Sequence, residues 1–196
     1  HIHGLIAIIA SSMKSGASVC ASNGFNALKF LELAKLEKIT WYSGVPTMHQ
    51  TIMLRAEKNL ELAKNLNLRL VRSSSASLPP VVFEKLNKVF NCPVIEAYGM
   101  TEATHQMTSN PLPPKKQKAG FVGIPAGPEV TIMDDNYKIM KNGEVGEICI
   151  KGNNVTSGYE NNPEANRTSF SSGWFRTGDQ GFFDKDGYLK ISGRLK

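Results

Sequence analysis

The 196-residue sequence has few cysteines and no long apolar run. Its three cysteines, Cys20, Cys92 and Cys149, are odd in number, far apart and without CxxC spacing. This pattern favours buried, reduced thiols in an intracellular protein over a disulfide framework. The apolar stretch 4–10 is too short to span a bilayer and lacks the flanks of a signal peptide, so we expect no membrane span.

The sequence also lacks a concentrated patch of one charge. Its formal net charge is +6, with a pI near 9.2, but most of the lysines and arginines are scattered. The one dense group, Lys115-Lys116-Gln117-Lys118, follows two prolines and indicates a solvated loop. We therefore expect no nucleic-acid partner, although a positive field suits an enzyme with anionic substrates.

Apolar segments in the first half alternate between helical and extended patterns. Helices are predicted at 4–13, 27–38, 47–57 and 79–90, and strands at 17–21, 39–43, 68–72 and 93–97. Such alternation predicts an α/β fold, with a mostly parallel sheet and helices on its faces.

After Gly120 the pattern changes to short segments with a period of two. Strands are predicted at 129–133, 144–151, 181–184 and 188–192, separated by the turn sequences 134–136, 142–143 and 186–187. These strands predict a small antiparallel β subdomain. We place the boundary in the loop 110–119, which gives domains at 1–118 and 119–196.

The stretch Tyr98-Gly99-Met100-Thr101-Glu102 follows a predicted buried strand. Ligands of open α/β sheets bind at the carboxyl ends of strands. Tyr98 offers a ring face for a base, Gly99 permits close approach, Thr101 can donate to a phosphate oxygen and Glu102 can hold Mg²⁺. The alternative is an ordinary Tyr-Gly turn with a capping threonine.

The same stretch resembles the signature of the adenylate-forming family, which includes the acyl-CoA synthetases and the adenylation domains of peptide synthetases. Three further segments, 72–79, 174–179 and 193–196, match that family in the correct order. The resemblance implies a ligase that activates a small carboxylic acid with ATP, forms an acyl-adenylate with release of pyrophosphate, and transfers the acyl group to coenzyme A. It also implies AMP and Mg²⁺ as bound species.

The resemblance implies roles for individual residues. The nucleotide site would contain Ser75, Ala76, Glu96, Ala97, Tyr98, Gly99, Met100, Thr101, Asp179 and Arg194. Thr101, Glu102 and His1 are the catalytic candidates, with Glu102 as the Mg²⁺ ligand, His3 as the rival of His1 and Lys196 as the hinge. Asp179 follows Thr177-Gly178 in a predicted turn between strands, and the alternative to its nucleotide role is an ordinary turn aspartate. For the serine segment the alternative is a helix entry capped by Ser77.

His105 follows the Thr-Glu pair in an extension that resembles the oxalate-CoA ligase branch of the family. The second carboxylate of a small dicarboxylate needs hydrogen-bond donors, because an unpaired charge in an apolar tunnel is costly. His105, Ser75 and His1 are the predicted substrate-binding residues, and oxalate is the suspected acid. The alternative for His105 is a histidine on the surface of a helix.

Other assignments stay open at this point. The chain starts at His1 and stops inside the motif at Lys196, so we expect a fragment without the family's phosphate loop and lid, and inactive alone. The alternatives are another acyl-CoA ligase, of the medium-chain or 4-coumarate type, an amino-acid adenylation module, or a non-catalytic nucleotide-binding fragment. Adenylation modules usually carry proline in place of Met100 and aspartate in place of Lys196. The resemblance allows a cytoplasmic or a peroxisomal location.

Overall fold

The computed structural model describes residues 1–195 and divides the chain into two compact units. The first unit contains His1, His3–Ala97 and Pro111–Gly120, and the second contains Ile2, Tyr98–Asn110 and the chain from Phe121 onward. Within the described residues, no helix is both long enough and apolar enough to cross a bilayer.

The first unit alternates helices with parallel strands. It opens with a π-helix at His3–Ala10. The other helices are α1 (Ser11–Lys14), α2 (Phe30–Leu36), α3 (Pro46–Ala56), α4 (Leu60–Lys64) and α5 (Pro80–Phe90), and the strands are β1 (Trp41–Gly44), β2 (Leu70–Ser73) and β3 (Val94–Met100), whose last three residues belong to the second unit. Proline begins both α3 and α5, where its missing N–H leaves no helical bond unmade.

Helix α5 shows how sequence spacing builds the core of this unit. Phe83, Leu86 and Phe90 recur at three and four residues, and all three are buried. They belong to the same apolar cluster as Val71 of β2 and Val94 of β3. Strands β1, β2 and β3 are paired in parallel, so their carboxyl ends lie at one edge of the sheet.

The second unit is mostly antiparallel. It contains a 3₁₀ helix at Thr101–Ala103, strands β4 (His105–Ser109), β5 (Ile124–Pro125), β6 (Glu129–Met133), β7 (Gly146–Lys151), β8 (Phe170–Ser171), β9 (Trp174–Phe183) and β10 (Leu189–Arg194), and helix α6 (Pro163–Ser169). One sheet has the order β10-β9-β7-β6, with β8 paired to β9, and β4 pairs with β5.

Strand β9 alternates between buried and half-buried residues. Phe175, Thr177 and Asp179 therefore point to the buried face, because successive side chains of a strand lie on opposite faces. Sequence reasoning placed Asp179 in a turn, and this was wrong. The Thr-Gly pair that suggests a turn is accommodated inside the strand, with Gly178 at φ +73°.

The predicted fold class is confirmed, since a parallel sheet with helices and an antiparallel sheet are both present. The predicted strand at 17–21 was wrong: these residues have no regular structure and are exposed, so no buried face favours a strand. The predicted helix at 4–13 begins as a π-helix. Cys20 is exposed rather than buried, whereas Cys92 and Cys149 are buried free thiols, as expected.

Candidate nucleotide-binding site

Asp179 is the centre of a polar cluster in the second unit. Its carboxylate accepts a hydrogen bond of 2.5 Å from the Tyr98 hydroxyl and one of 2.8 Å from Nη1 of Arg194. Asp179 is buried, whereas the Arg194 side chain is 63% exposed. The exposed arginine contributes little to stability because solvent screens the pair. The cluster brings together three of the predicted nucleotide-binding residues.

Strand register explains the geometry of this cluster. Asp179 of β9 lies directly opposite Arg194 of β10, so the two side chains share one face of the sheet. The backbone before Asp179 is held by β7: Thr177 donates its hydroxyl to the carbonyl of Ile148 at 2.7 Å, and the Gly178 N–H donates to Glu147 at 3.0 Å. The register between β7 and β9 shifts in this stretch, with residues 147 and 149 of β7 opposite residues 180 and 176 of β9.

Glu147 is a residue that sequence reasoning missed. One of its oxygens accepts from Nε of Arg176 at 2.7 Å, and the other accepts from the Gly178 N–H. The guanidinium of Arg176 and the carboxylate of Glu147 form a salt bridge, in which the arginine side chain is 28% exposed and the glutamate side chain is 10% exposed. Arg176 and Gly178 stand in a segment that resembled the family, but the sequence offers no signal for a partner 29 residues earlier.

Tyr98 is half-buried at the end of β3. Burial, and then the hydrogen bond and negative charge of Asp179, raise the pKa of Tyr98 above its ordinary value. The phenol therefore stays protonated and donates to the carboxylate at physiological pH. Its ring packs with the apolar residues of the second unit.

Gly99 has a structural requirement within its own unit. A Cβ atom at this position would lie 1.6 Å from the carbonyl oxygen of His105. The chain therefore needs glycine here so that the start of β4 can pass close to the end of β3. The close approach of a nucleotide to Gly99 stays a prediction.

The signature continues into a tight turn. Thr101, Glu102 and Ala103 form the 3₁₀ helix, and Thr104 and His105 follow with φ of +49° and +82°. A non-glycine residue with a positive φ costs about 1–3 kcal/mol, so contacts with surrounding residues must hold Thr104 and His105 in this conformation. Thr101 is exposed, whereas His105 is 2% exposed, which excludes the alternative of a surface histidine on a helix.

Two residues of the segment 153–159 hold this turn. Nδ2 of Asn154 donates to the carbonyl of Ala103 at 2.7 Å and to that of Gln106 at 3.2 Å. The Tyr159 hydroxyl donates to the Glu102 carboxylate at 2.8 Å. Sequence reasoning gave neither Asn154 nor Tyr159 a role.

Glu102 is the predicted Mg²⁺ ligand. Among residues 1–195, no three His, Cys, Asp or Glu side chains converge as a metal site. A single half-buried carboxylate still fits Mg²⁺, because this ion keeps several waters and is bound through one or two carboxylates together with substrate phosphates.

The first unit holds the other predicted site residues. His3, not His1, contacts Ser75: its Nδ1 lies 3.1 Å from Ser75 Oγ, and its Nε2 lies 2.7 Å from Ser43 Oγ. His3 is buried and His1 is exposed. Arg72, which sequence reasoning did not select, also contacts His3.

Ser75 and Ala76 are exposed in the loop after β2. Ser75 has a φ of +73°, and the preceding Ser74 donates its hydroxyl to the carbonyl of Ala97 at 2.9 Å. This bond fixes the loop to the end of β3. The loop thus presents two small side chains to the surface of the first unit.

Glu96 is buried next to that loop. Its carboxylate accepts from the N–H of Leu78 at 3.2 Å and from the N–H of Gly120 at 3.0 Å. Burial raises the pKa of Glu96 to about 7, although both hydrogen bonds act to lower it. The side chain therefore links strand β3 to two loops, a role that the sequence interpretation did not assign. Lys196, the predicted hinge, lies outside the described residues.

The sequence belongs to a known family. Residues 1–160 match the family model described as AMP-binding enzyme, so the chain is a member of that family. Its fold is that of adenylate-forming enzymes: it superposes on ATP-bound MatB from Rhodopseudomonas palustris with a TM-score of 0.90 and 31% identity, over 99% of this chain and 38% of that one. A second structure, the Bacillus subtilis O-succinylbenzoate coenzyme A synthetase with ATP and magnesium, gives a TM-score of 0.86 and 29% identity over 99% of this chain and 39% of that one.

Two of the curated relatives of this chain are oxalate-CoA ligases. The chain is 49% identical over 199 residues to an oxalate-CoA ligase of Arabidopsis thaliana, which covers 100% of this chain and 38% of the relative. It is 47% identical over 198 residues to an oxalate-CoA ligase of Saccharomyces cerevisiae, over 100% of this chain and 36% of the relative. The chain thus spans little more than a third of the length of these relatives.

Proposed function

We propose that this chain is part of an AMP-forming acid-thiol ligase whose acid substrate is oxalate. The observation that carries the proposal is the Tyr98–Asp179–Arg194 cluster, which is built from three segments of the family pattern; Tyr98 and Asp179 are 81 residues apart in the sequence. Identity of 49% and 47% to two oxalate-CoA ligases supports the choice of acid.

The proposed reaction has two steps. A carboxylate oxygen of the acid attacks the α-phosphorus of ATP, and the bond to pyrophosphate breaks. The sulfur of coenzyme A then attacks the carbonyl carbon of the acyl-adenylate, AMP leaves, and the thiol proton passes to water. Because both steps gather negative charge, catalysis depends mainly on positioning and on fixed donors.

The second unit supplies the nucleotide contacts in this proposal. Asp179 accepts from the two ribose hydroxyls with the lone pairs that Tyr98 and Arg194 leave available. The Tyr98 ring faces the adenine, and the exposed Thr101 hydroxyl donates to a phosphate oxygen. Glu102, oriented by Tyr159, would hold Mg²⁺, which offsets phosphate charge when bound.

The first unit supplies acid contacts in this proposal. Ser75 is exposed and bonded to His3, so its hydroxyl can donate to a carboxylate of the acid. We take His3 in place of His1 as the imidazole of this site, because His3 contacts Ser75. The role of His105 in binding the second carboxylate stays a prediction.

The test is an assay of AMP and pyrophosphate release by the full-length protein. A panel would contain oxalate, malonate, 4-coumarate, a medium-chain and a long-chain fatty acid, and a set of amino acids, each with ATP, Mg²⁺ and coenzyme A. We expect oxalate to give the highest kcat/KM. Preference for a fatty acid would refute oxalate as the substrate, and release of AMP only with an amino acid would indicate an adenylation module.

Two further points belong to this proposal. The 196-residue chain alone is expected to show negligible turnover, and measurable thioester formation by it would refute that expectation.

An intracellular location, cytoplasmic or peroxisomal, is supported by the buried free thiols of Cys92 and Cys149. Fractionation of cells that express the full-length protein would test it.

A further inference from the structure

His3 contacts polar groups through both of its ring nitrogens. Nε2 lies 2.7 Å from Ser43 Oγ and 3.2 Å from Nη1 of Arg72, and Nδ1 lies 3.1 Å from Ser75 Oγ. Nη1 of Arg72 also donates to Ser43 Oγ at 3.3 Å. His3 and Arg72 are both buried, at 6% and 7% exposure. All four residues belong to the first unit.

The arginine decides where the histidine proton resides. Burial lowers the pKa of Arg72 to about 10, so the guanidinium remains a cation at neutral pH and every N–H is a donor. A proton on Nε2 of His3 would lie near Ser43 Oγ at 2.7 Å and Nη1 of Arg72 at 3.2 Å, where the N–H donors of the arginine oppose it. Nε2 must then be the acceptor, which leaves the single proton of the neutral ring on Nδ1. A doubly protonated ring is disfavoured by the adjacent buried cation.

This tautomer fixes the direction of the next hydrogen bond. With its proton on Nδ1, His3 donates to Ser75 Oγ, so the Ser75 hydroxyl hydrogen is available to donate elsewhere. Ser75 is exposed, and the backbone beside it is held by the hydrogen bond from Ser74 to the carbonyl of Ala97. In the opposite tautomer Ser75 would donate to Nδ1 and would present lone pairs to an incoming anion.

We propose that Arg72 is a positioning residue that sets the Nδ1–H tautomer of His3, so that the Ser75 hydroxyl donates to an anionic oxygen of the acid substrate. The tautomer follows from the contacts of this unit alone. The identity of the anion rests on the proposed function.

The tautomer can be measured directly by NMR with ¹⁵N-labelled histidine, using long-range ¹H–¹⁵N correlation of the ring nitrogens. The His3 signals are assigned by their loss in His3→Gln. We expect a protonated Nδ1 and an unprotonated Nε2 in the wild type, and a shift toward Nε2–H in Arg72→Met. Arg69→Met, which removes an exposed arginine just before β2, is the matched control and should leave the pattern unchanged.

A wild-type ring with its proton on Nε2, or a doubly protonated ring at pH 7, would overturn the proposal. So would an Arg72→Met spectrum identical to that of the wild type. The wild-type measurement needs no variant in the arginine, so it decides the tautomer even if Arg72→Met fails to fold.

Kinetics of the full-length protein test the consequence for Ser75. Arg72→Met and Ser75→Ala should each raise the KM for the acid about tenfold, the size expected for one lost hydrogen bond to a charged group, with the KM for ATP unchanged. The double variant should raise the KM for the acid no more than either single variant does, because both substitutions act through the same hydroxyl. Arg72→Lys, which keeps a cationic donor, should restore part of the loss.

Full additivity in this cycle, or an equal rise in the KM for ATP, would refute the positioning role. If no acid of the panel releases AMP while the Nδ1–H tautomer is present, the proposed function fails and the tautomer assignment stands. If the ligase is active but the wild-type tautomer is Nε2–H, the assignment fails and the proposed function stands.

Discussion

Glu96→Gln is the substitution whose effect on stability can be worked out most fully. Glu96 is 3% exposed and accepts hydrogen bonds from the backbone of Leu78 and Gly120. Burial nonetheless raises its pKa to about 7 from 4.5, because loss of hydration outweighs those two bonds. The variant keeps the shape of the side chain and removes its ionisation.

The sign of the pH effect follows from proton linkage. Between pH 4.5 and 7 the folded chain binds a proton at Glu96 that the unfolded chain has released, so the free energy of unfolding decreases as the pH rises. The full difference is about 3 kcal/mol, from about 1.36 kcal/mol per pH unit. Between pH 5 and pH 8 the part that changes is about 2.5 kcal/mol.

Urea denaturation of the wild-type chain and of Glu96→Gln at pH 5, 6, 7 and 8 measures this effect. We expect the variant to gain about 2.5 kcal/mol relative to the wild type between pH 5 and pH 8. This gain is added to a loss of about 1 kcal/mol in the free energy of unfolding that is the same at every pH, because the amide nitrogen of the variant faces one of the two N–H donors. Glu84→Gln, an exposed glutamate on α5, is the matched control. A constant difference between wild type and Glu96→Gln across this range would refute the reasoning.

Three further substitutions test the second unit in the full-length protein. Asp179→Asn should raise the KM for ATP about 30-fold, since about 2 kcal/mol of charge-assisted bonding to the ribose is lost, and an unchanged KM for ATP would contradict this role. Tyr159→Phe removes the donor to Glu102 and should raise the Mg²⁺ concentration for half-maximal adenylation about fivefold, which a Mg²⁺ titration measures; an unaltered titration would exclude it. Glu147→Gln weakens the support of the Gly178 N–H and should raise the KM for ATP about fivefold with kcat for saturating substrates unchanged, whereas a loss confined to kcat would argue against positioning.

The sequence predicted elements better than it predicted their partners. Alternating helical and extended patterns were sufficient to predict the three parallel strands of the first unit. The strand 17–21 was predicted wrongly since short apolar runs look alike whether or not a partner buries them. Short elements such as α6 and β8 were missed for the related reason that a few residues carry little periodicity.

Polar contacts between residues far apart in the sequence were harder to predict than the secondary structure. The family pattern selected both Tyr98 and Asp179, but the 2.5 Å bond between them depends on where β9 lies relative to the end of β3. Asp179 was assigned to a turn because Thr-Gly-Asp has turn propensity, and the register of β9 with its neighbours overrides that propensity. Tyr159 and Glu147 act through partners 57 and 31 residues away, a separation that leaves no periodic trace in the sequence.

The signature segment itself combines two kinds of residue. Gly99 is required by the fold, because a side chain there would collide with the carbonyl of His105, whatever binds nearby. Thr101 is exposed, and the Glu102 carboxylate is half-buried with Tyr159 as its partner, so neither residue is demanded by packing. This difference supports the prediction that Thr101 and Glu102 take part in the reaction, whereas Gly99 is required by the fold.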